Sequence, residues 1–346
     1  MEPLDVIVIG GGQAGLGMGY RLRQAGLEFA ILDERSRTGD VWRDRWDSLE
    51  LFTPRPFVNL PGLKAPGDMR YYPAKDEIAD YLQRYREQFD LPVRNDFRVQ
   101  NLESRDGVFV VTGDEEILSA RAVVIAAGPF HTPQVPACAQ QLGPEVRQLH
   151  SQDYRRPDDL GPGNVLVVGG GNSAAQIAEE LSTGHRVTIA SSGPIAYAPK
   201  TIAGVSLFWF MHLTGMLRAD KDAWVSRYAR PYADTVIGFN LKKLVDQDVV
   251  RHVPHRVTDC AGREVVFADG SRDTFDNILW CTGFRPHYDW LKVDNALDEQ
   301  GGPQQTRGIS PVPGLYWLGL PWQNRLNSAL INGVDRETRQ LMRHLA

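Results

Sequence analysis

Apolar runs bounded by glycine divide this chain into alternating strand and helix signals. Val6-Ile7-Val8-Ile9 is apolar at every position, the pattern of a strand covered on both faces in a parallel sheet. Gly10-Gly11-Gly12 interrupts the run, and QAGLGMGYRLRQA (13–25) continues with helical spacing. LEFAILD then supplies a second strand ending at Asp33, which completes one βαβ unit. The same order returns later: a strand at 164–168, a glycine turn, a helix to about Ser182 and a strand at 186–190.

Between the two units lies an irregular, aromatic and proline-rich stretch, GDVWRDRWDSLELFTPRPFVNLPG. A connection of this length is usually functional. Helical periodicity follows over 75–89 through Ile78, Tyr81, Leu82, Tyr85 and Phe89. Alternation around DFRVQNLE and GVFVVT predicts a small meander leading into the buried parallel strand of RAVVIAAGPF. PDDLGPG (157–163) has the composition of a linker, and DNILWCTGFRP echoes VVIAAGPF in its strand-then-glycine form. PGLYWLGLPW and a helix from about Ser328 are expected to return to the first domain. The prediction is an α/β fold with two Rossmann-like dinucleotide-binding domains. Residues 1–157 and 284–346 form a split first domain, with 158–283 inserted. The apolar piece GVSLFWFMHLTGML (204–217) is read as a buried or pocket-lining helix rather than an interfacial membrane helix.

The length suits about two domains. Apolar residues make up 42% and charged residues 23%, ordinary for a soluble globular protein. A net charge of −5 favours neither nucleic acid nor an anionic membrane as a partner. Arg43, Arg45, Arg155 and Arg156 are taken as local salt-bridging and solvated faces. The first apolar run is too short for a signal core or a span and no basic segment precedes it, so a cytoplasmic location is expected. Cys138, Cys260 and Cys281 are too few and scattered for a disulfide framework or a metal site, and no CxxC occurs.

Each glycine turn has a physical reason. Gly10 permits the tight strand-to-helix turn, Gly12 lets backbone approach a pyrophosphate, and Gly15 allows helix to pack closely on strand. Gln13 and Ala14 open the helix, whose free N–H groups and partial positive charge face the anion. Asp33 stands at the strand end where a carboxylate holds ribose hydroxyls. In the second copy Gly169, Gly171 and Ala174 occupy the same places, with Asn172 and Ser173 between them. Ser191 falls opposite Asp33, followed by Ser192. No carboxylate repels a 2′-phosphate there and no arginine clamps one, so both NADPH and NADH are expected, with modest discrimination.

Two such sites suit a flavin and a nicotinamide, because hydride passes directly between their rings. Longer segments extend the likeness. GDVWRDRWDSLELFTP resembles the GGxW…LxLxTP segment of class B flavin-dependent monooxygenases. QLHSQDYRRP, through His150, Tyr154 and Pro157, resembles the tail of their FxGxxxHxxx(Y/F)xxP signature, and ILWCTGFRP resembles their (A/C)TG hinge between domains. There are departures: Pro144 and Val146 replace the signature's aromatic and glycine, Asp40 replaces the second glycine of GGxW, and Pro54 stands where related enzymes carry asparagine. Without a redox cysteine pair, the disulfide-reductase branch is set aside.

The resemblance implies FAD at Gly10–Gly15 and NADPH or NADH at Gly169–Ala174. It implies O2 activation as a C4a-(hydro)peroxyflavin and transfer of one oxygen to a small sulfide, amine or ketone. The flavin carries the chemistry, so no catalytic side chain is named. Two alternatives stand beside it: an NAD(P)H oxidase or flavin reductase with no oxygenated product, and a non-catalytic flavin redox sensor. Trp42 is placed against FAD or in the core, and Thr53 near the flavin ring or capping a turn. Val99 is placed with its backbone near adenine. Ala127, Gly128, Thr282 and Gly283 are assigned to the cofactor edges. Ser328, Ala329 and Leu330 are read as the start of the last helix, facing the flavin or as an ordinary helix end. His150 is taken as a structural bridge rather than a proton donor, and Cys281 as a small buried residue. Phe208, Trp209, Phe210, Met211, Trp224 and Trp322 line an aromatic substrate pocket or belong to the core. A homodimer is the default oligomer.

Overall fold

The computed structural model describes residues 2–232 and 234–345. The first apolar run forms Leu4–Ile9, which pairs in parallel with Phe29–Leu32 on one side and Ile117–Ile125 on the other. Its alternate residues go to opposite faces. Val6 and Val8 enter a core with Leu16, Met18 and Ile31, while Ile7 and Ile9 enter a second core with Ala30 and Leu32. All four are at most 5% exposed, so each contributes about 1.5–3 kcal/mol of burial. That two-sided burial is why no polar residue interrupts the run.

Val93–Arg94 extends this sheet beyond Phe29–Leu32. The long strand Ile117–Ile125 changes partners along its length. Its first half pairs antiparallel with Val108–Thr112, next to Asn101–Arg105, and its second half pairs in parallel with Leu315–Trp317. The C-terminal block thus returns to the first sheet. The meander is shorter than its alternation predicts, with residues 96–100 outside any strand.

A second, all-parallel sheet runs Val250–Val253, Arg186–Ala190, Asn164–Val168, Asn277–Trp280 and Arg147–His150. Arg147–His150 lies before the 157–163 linker in sequence, yet it is the edge strand of this sheet. The chain crosses between sheets at two places that touch: Thr132–Pro133 pairs antiparallel with Phe284–Arg285.

Two expected helices differ. Over 204–217 the structure has a helix at Leu207–Leu213, in which Phe208 alone is buried and Leu213 is 79% exposed, and then a 3-10 turn from Met216. The run is largely apolar, but a helix of seven residues packs one side chain fully, Phe208 against Phe57 and Leu217. The last helix is Val334–Leu345, preceded by a 3-10 turn at Ile331–Gly333, so Ser328 does not start it. This helix lies on Gln13–Gln24, and a Cβ on Gly17 would fall 2.3 Å from Val334 Cγ1. Among the described residues no helix is long and apolar enough to cross a membrane.

Candidate functional site

Each glycine of the first turn does a separate task. Gly10 has φ +108°, and a Cβ there would lie 2.4 Å from the carbonyl oxygen of Ala126. Gly15 is tighter still, since its Cβ would sit 1.8 Å from Gly10 O. At Gly12 nothing lies within 4 Å of the added atom, so its open side faces the space before the helix N-terminus. The second turn matches: Gly169 (φ +145°) packs on Cys281 O, and Gly171 is open. Ala174, in the third position, is buried in the core of the second sheet, where a methyl group is accommodated.

Asp33 closes the first unit. Its carboxylate accepts from Gly11 N–H at 2.7 Å and from Arg35 N–H at 2.9 Å. Burial pushes its pKa up, and those two hydrogen bonds and Arg35 pull it back. At the corresponding place Ser191 donates to Gly193 O at 2.6 Å, and its oxygen lies 2.7 Å from His252 Nε2. The Ser191 hydroxyl is therefore already committed within the protein.

The first glycine turn and the start of the second unit's helix open into one cleft of about 730 Å³. Gly10, Gly12, Gln13, Ala14, Asp33, Trp42, Thr53, Val99, Ala127 and Gly128 line it from the first sheet. Asn172 and Ser173 line it from the second, and Ser328, Ala329 and Leu330 from the C-terminal block. Gly15, Gly169, Gly171, Ala174, Ser191, Ser192, Thr282 and Gly283 are not among its lining residues. Asn172 carries a second task, since its amide bonds Thr235 O and Ile237 N–H. Thr282 bonds Gln134 O through its hydroxyl, and Gly283 O accepts from Gln134 N–H at 2.9 Å, so the Thr-Gly segment is stitched to the other crossover.

His150 completes that stitch. Its Nε2 lies 3.1 Å from Gly283 O and its Nδ1 accepts from Gln152 N–H at 3.1 Å, which fixes a neutral tautomer donating from Nε2. Burial lowers its pKa, against a rise from the Gly283 bond. This is the bridging geometry. Cys281 is enclosed against Gly169, and burial pushes its thiol up to about 12. Cys138 and Cys260, distant in sequence, bring their sulfurs to 3.2 Å on the second sheet's other core.

Ser328 is held by its side chain rather than by a helix. Its Oγ accepts from Asn324 and Arg325 N–H at 3.0 and 2.9 Å and donates to buried Glu337 Oε1 at 2.9 Å. Ile331 and Val334, the first residues of the 3-10 turn and of the last helix, also line the cleft. The expected aromatic wall is displaced too. Phe208 packs in a satellite cluster with Phe57 and Leu217, Trp224 is 81% exposed, and Trp209, Phe210, Met211 and Trp322 do not line the cleft. Its aromatic lining is Trp42, Trp46, Phe52, Phe97, Phe130, Phe284 and Trp290.

Sequence reasoning also missed Arg35, Gln176, His131 and Arg45. Arg43 does form ion pairs, with Asp40 at 3.0 Å and Asp80 at 2.9 Å. Arg45 forms none among the described residues, although it lines the cleft. Its position between two tryptophans of the irregular stretch was the available signal.

Residues 7–207 match a family model described as pyridine nucleotide-disulphide oxidoreductase. A relative from Geobacillus kaustophilus named "Uncharacterized oxidoreductase CzcO-like" is 42% identical over 98% of this chain and 97% of its own length. A rice protein, "Indole-3-pyruvate monooxygenase YUCCA1", is 25% identical over 93% of this chain and 88% of its own. Among solved structures, a flavin-containing monooxygenase from Stenotrophomonas maltophilia superposes with a TM-score of 0.84 at 30% identity, covering 100% of this chain and 98% of that one.

Proposed function

The chain belongs to the pyridine nucleotide-disulphide oxidoreductase family, as a class B flavin monooxygenase, and from that membership we propose an FAD- and NAD(P)H-dependent monooxygenase of small organic substrates. The observation that carries the reading is that one cleft is lined by the first glycine turn and by Asn172 and Ser173, which directly follow the second. The residues present fit two dinucleotides. Gly12 and Gly171 leave open cradles ahead of helices Gln13–Gln24 and Asn172–Leu181, while Gly10 and Gly169 pack against the ends of the neighbouring strands.

FAD is assigned to the first turn. Gly10, Gly12, Gln13 and Ala14 would hold its pyrophosphate, Asp33 its ribose, and the Val99 backbone its adenine. Trp42, Thr53 and Ser328–Leu330 would border the ring, with Ile331 and Val334 offering the helix-end N–H groups. NAD(P)H is assigned to Gly171, Asn172 and Ser173, with Ser192 at the strand end. Bound there, FAD would supply a ring able to accept hydride from NAD(P)H and pass two electrons to O2, so that one oxygen atom goes to a sulfide, amine or ketone and the other leaves as water. The protein positions the rings and keeps water out, which Leu51, Val58, Leu318 and Ile331 do along the cleft wall. We infer the division into a split FAD domain and an inserted NAD(P)H domain, with Arg147–His150 on the inserted side. A cytoplasmic location, where NAD(P)H is supplied, belongs to the same reading.

The test is anaerobic reduction of the FAD-loaded protein by NADPH, followed by oxygen with and without a test sulfide or ketone. The rice relative is named for a ketone, indole-3-pyruvate, which makes a ketone a sensible first choice. Oxygenated product formed in step with NADPH consumption supports the monooxygenase. Hydrogen peroxide alone replaces it with an oxidase, and negligible turnover with a sensor. Protein that takes up no FAD ends the reading.

A further inference from the structure

The two glycine turns are built alike, and what joins them is a cation. Ala126 backs Gly10 and leads to Phe130, while Cys281 backs Gly169 and leads to Phe284. The two phenylalanine rings meet edge to face with centroids 5.2 Å apart. Arg45 lies over both, its guanidinium carbon 4.8 Å from the Phe130 ring and 5.6 Å from the Phe284 ring. Among the described residues its guanidinium makes no hydrogen bond and no ion pair. The carboxylate nearest in sequence, Asp44, is taken by Arg35 at 2.9 Å. Arg35 and Arg155 add like charge, and burial adds a cost, yet an arginine stays ionised. A half-buried, desolvated guanidinium with unused donors is a site for an oxyanion.

Position selects which oxyanion. The first turn has Arg35, Arg37 and Arg98 along its side of the cleft. Asn172, Ser173 and Gln176, which line the cleft from the second unit's helix, carry no charge. A nucleotide seated on Gly171 would bring its phosphates close to them, and the cation standing on Phe284 is Arg45, from the irregular stretch after Asp40–Arg43. Resting on the reading of the second turn as the NAD(P)H seat, we propose that Arg45 binds a phosphate group of the nicotinamide dinucleotide, across the cleft from the turn that seats it. Its two phenylalanines hold the guanidinium in place, and its donors supply the bidentate contact that the second turn lacks.

The experiment uses FAD-loaded full-length protein as wild type, Arg45→Met and Arg45→Lys. Methionine keeps the apolar stem over the two rings and removes the charge. Binding of NADP+ and of NAD+ is followed by calorimetry at low and high salt, together with FAD content and thermal midpoint. Arg45→Met should raise the Kd for NADP+ at least tenfold and flatten its salt dependence, with FAD content and midpoint unchanged. Arg45→Lys should recover part of the affinity. An equal loss for NAD+ assigns the contact to the pyrophosphate, and a loss confined to NADP+ assigns it to the 2′-phosphate; either supports the proposal. Arg45→Met that binds both nucleotides within twofold of wild type, or that loses FAD instead, overturns it. Wild-type protein that binds neither nucleotide overturns the functional reading underneath and the proposal with it.

Discussion

Gly12 and Gly15 are three residues apart and answer to different constraints. A side chain at Gly15 meets the Gly10 carbonyl, a backbone atom that cannot turn aside, whereas one at Gly12 meets nothing. Gly15→Ala should therefore destabilise the apoprotein by about 1–3 kcal/mol, the usual range for overpacking. Gly12→Val should leave apoprotein stability within about 0.5 kcal/mol, as surface substitutions do, and abolish FAD retention. Urea denaturation of apoprotein and flavin absorbance after desalting separate the two effects. His150 gives a residue-scale prediction in pH. Its folded pKa lies below the ordinary 6.5, so in the interval just under that value the unfolded chain binds more protons. Stability is fully present above 6.5 and is lost as pH falls through the interval. His150→Gln should shrink the drop in urea midpoint between pH 7.5 and pH 5.5; an unaltered drop would assign it to other groups. The glycine turns could be read in the sequence because their demands are local. For Arg45 the flanking Trp42 and Trp46 were the one local signal; that its charge is unpaired is a property of its surroundings.

At the scale of elements, uninterrupted apolar strands were legible because both faces of each sheet are covered. Helix ends were less so. Ser328 has the composition of a helix N-cap, yet its hydroxyl serves the turn behind it and Glu337 ahead. The true start, Val334, follows Asn332-Gly333 and has Asp335 and Glu337 in its first turn, a weaker start signal than the serine six residues earlier. Glu337 is 1% exposed and accepts from Asn324 Nδ2 and Ser328 Oγ, with Arg325 at 3.5 Å. Replacing it with alanine strands those donors, and the expected loss is about 2–4 kcal/mol. The same change should speed FAD release, since Ser328–Leu330 would lose their anchor. Denaturation curves and flavin fluorescence recovery report the two. In 204–217 apolar content overstates burial: of the seven helical residues Phe208 is buried, Trp209 and Leu213 are exposed and the others are half-buried.

For the molecule as a whole, the sequence repeats announced two sheets, but not that Arg147–His150 joins the second ahead of its linker. A strand of four residues with arginine, glutamine and histidine has no apolar run to declare it; its place depends on Asn277–Trp280 beside it. Since one cleft is lined from both units, each nucleotide would form part of the other's wall. NADP+ should bind FAD-loaded protein at least fivefold more tightly than apoprotein, a coupling of about 1 kcal/mol, and reciprocally NADP+ should slow FAD loss. Calorimetry on the two forms checks this; equal affinities would mean that the seats are independent.

The paired crossovers, Thr132–Pro133 against Phe284–Arg285, limit how that cleft can change. Two tethers lying side by side and running in opposite directions resist sliding and separation of the halves. They are not alone: Asp47 N–H donates to Arg155 O at 2.7 Å, Gln176 donates to Glu50 O at 3.0 Å and Arg307 pairs with Asp220 at 2.6 Å. The cleft is thus braced by several ties of the protein's own making, each of which a nucleotide would find already in place.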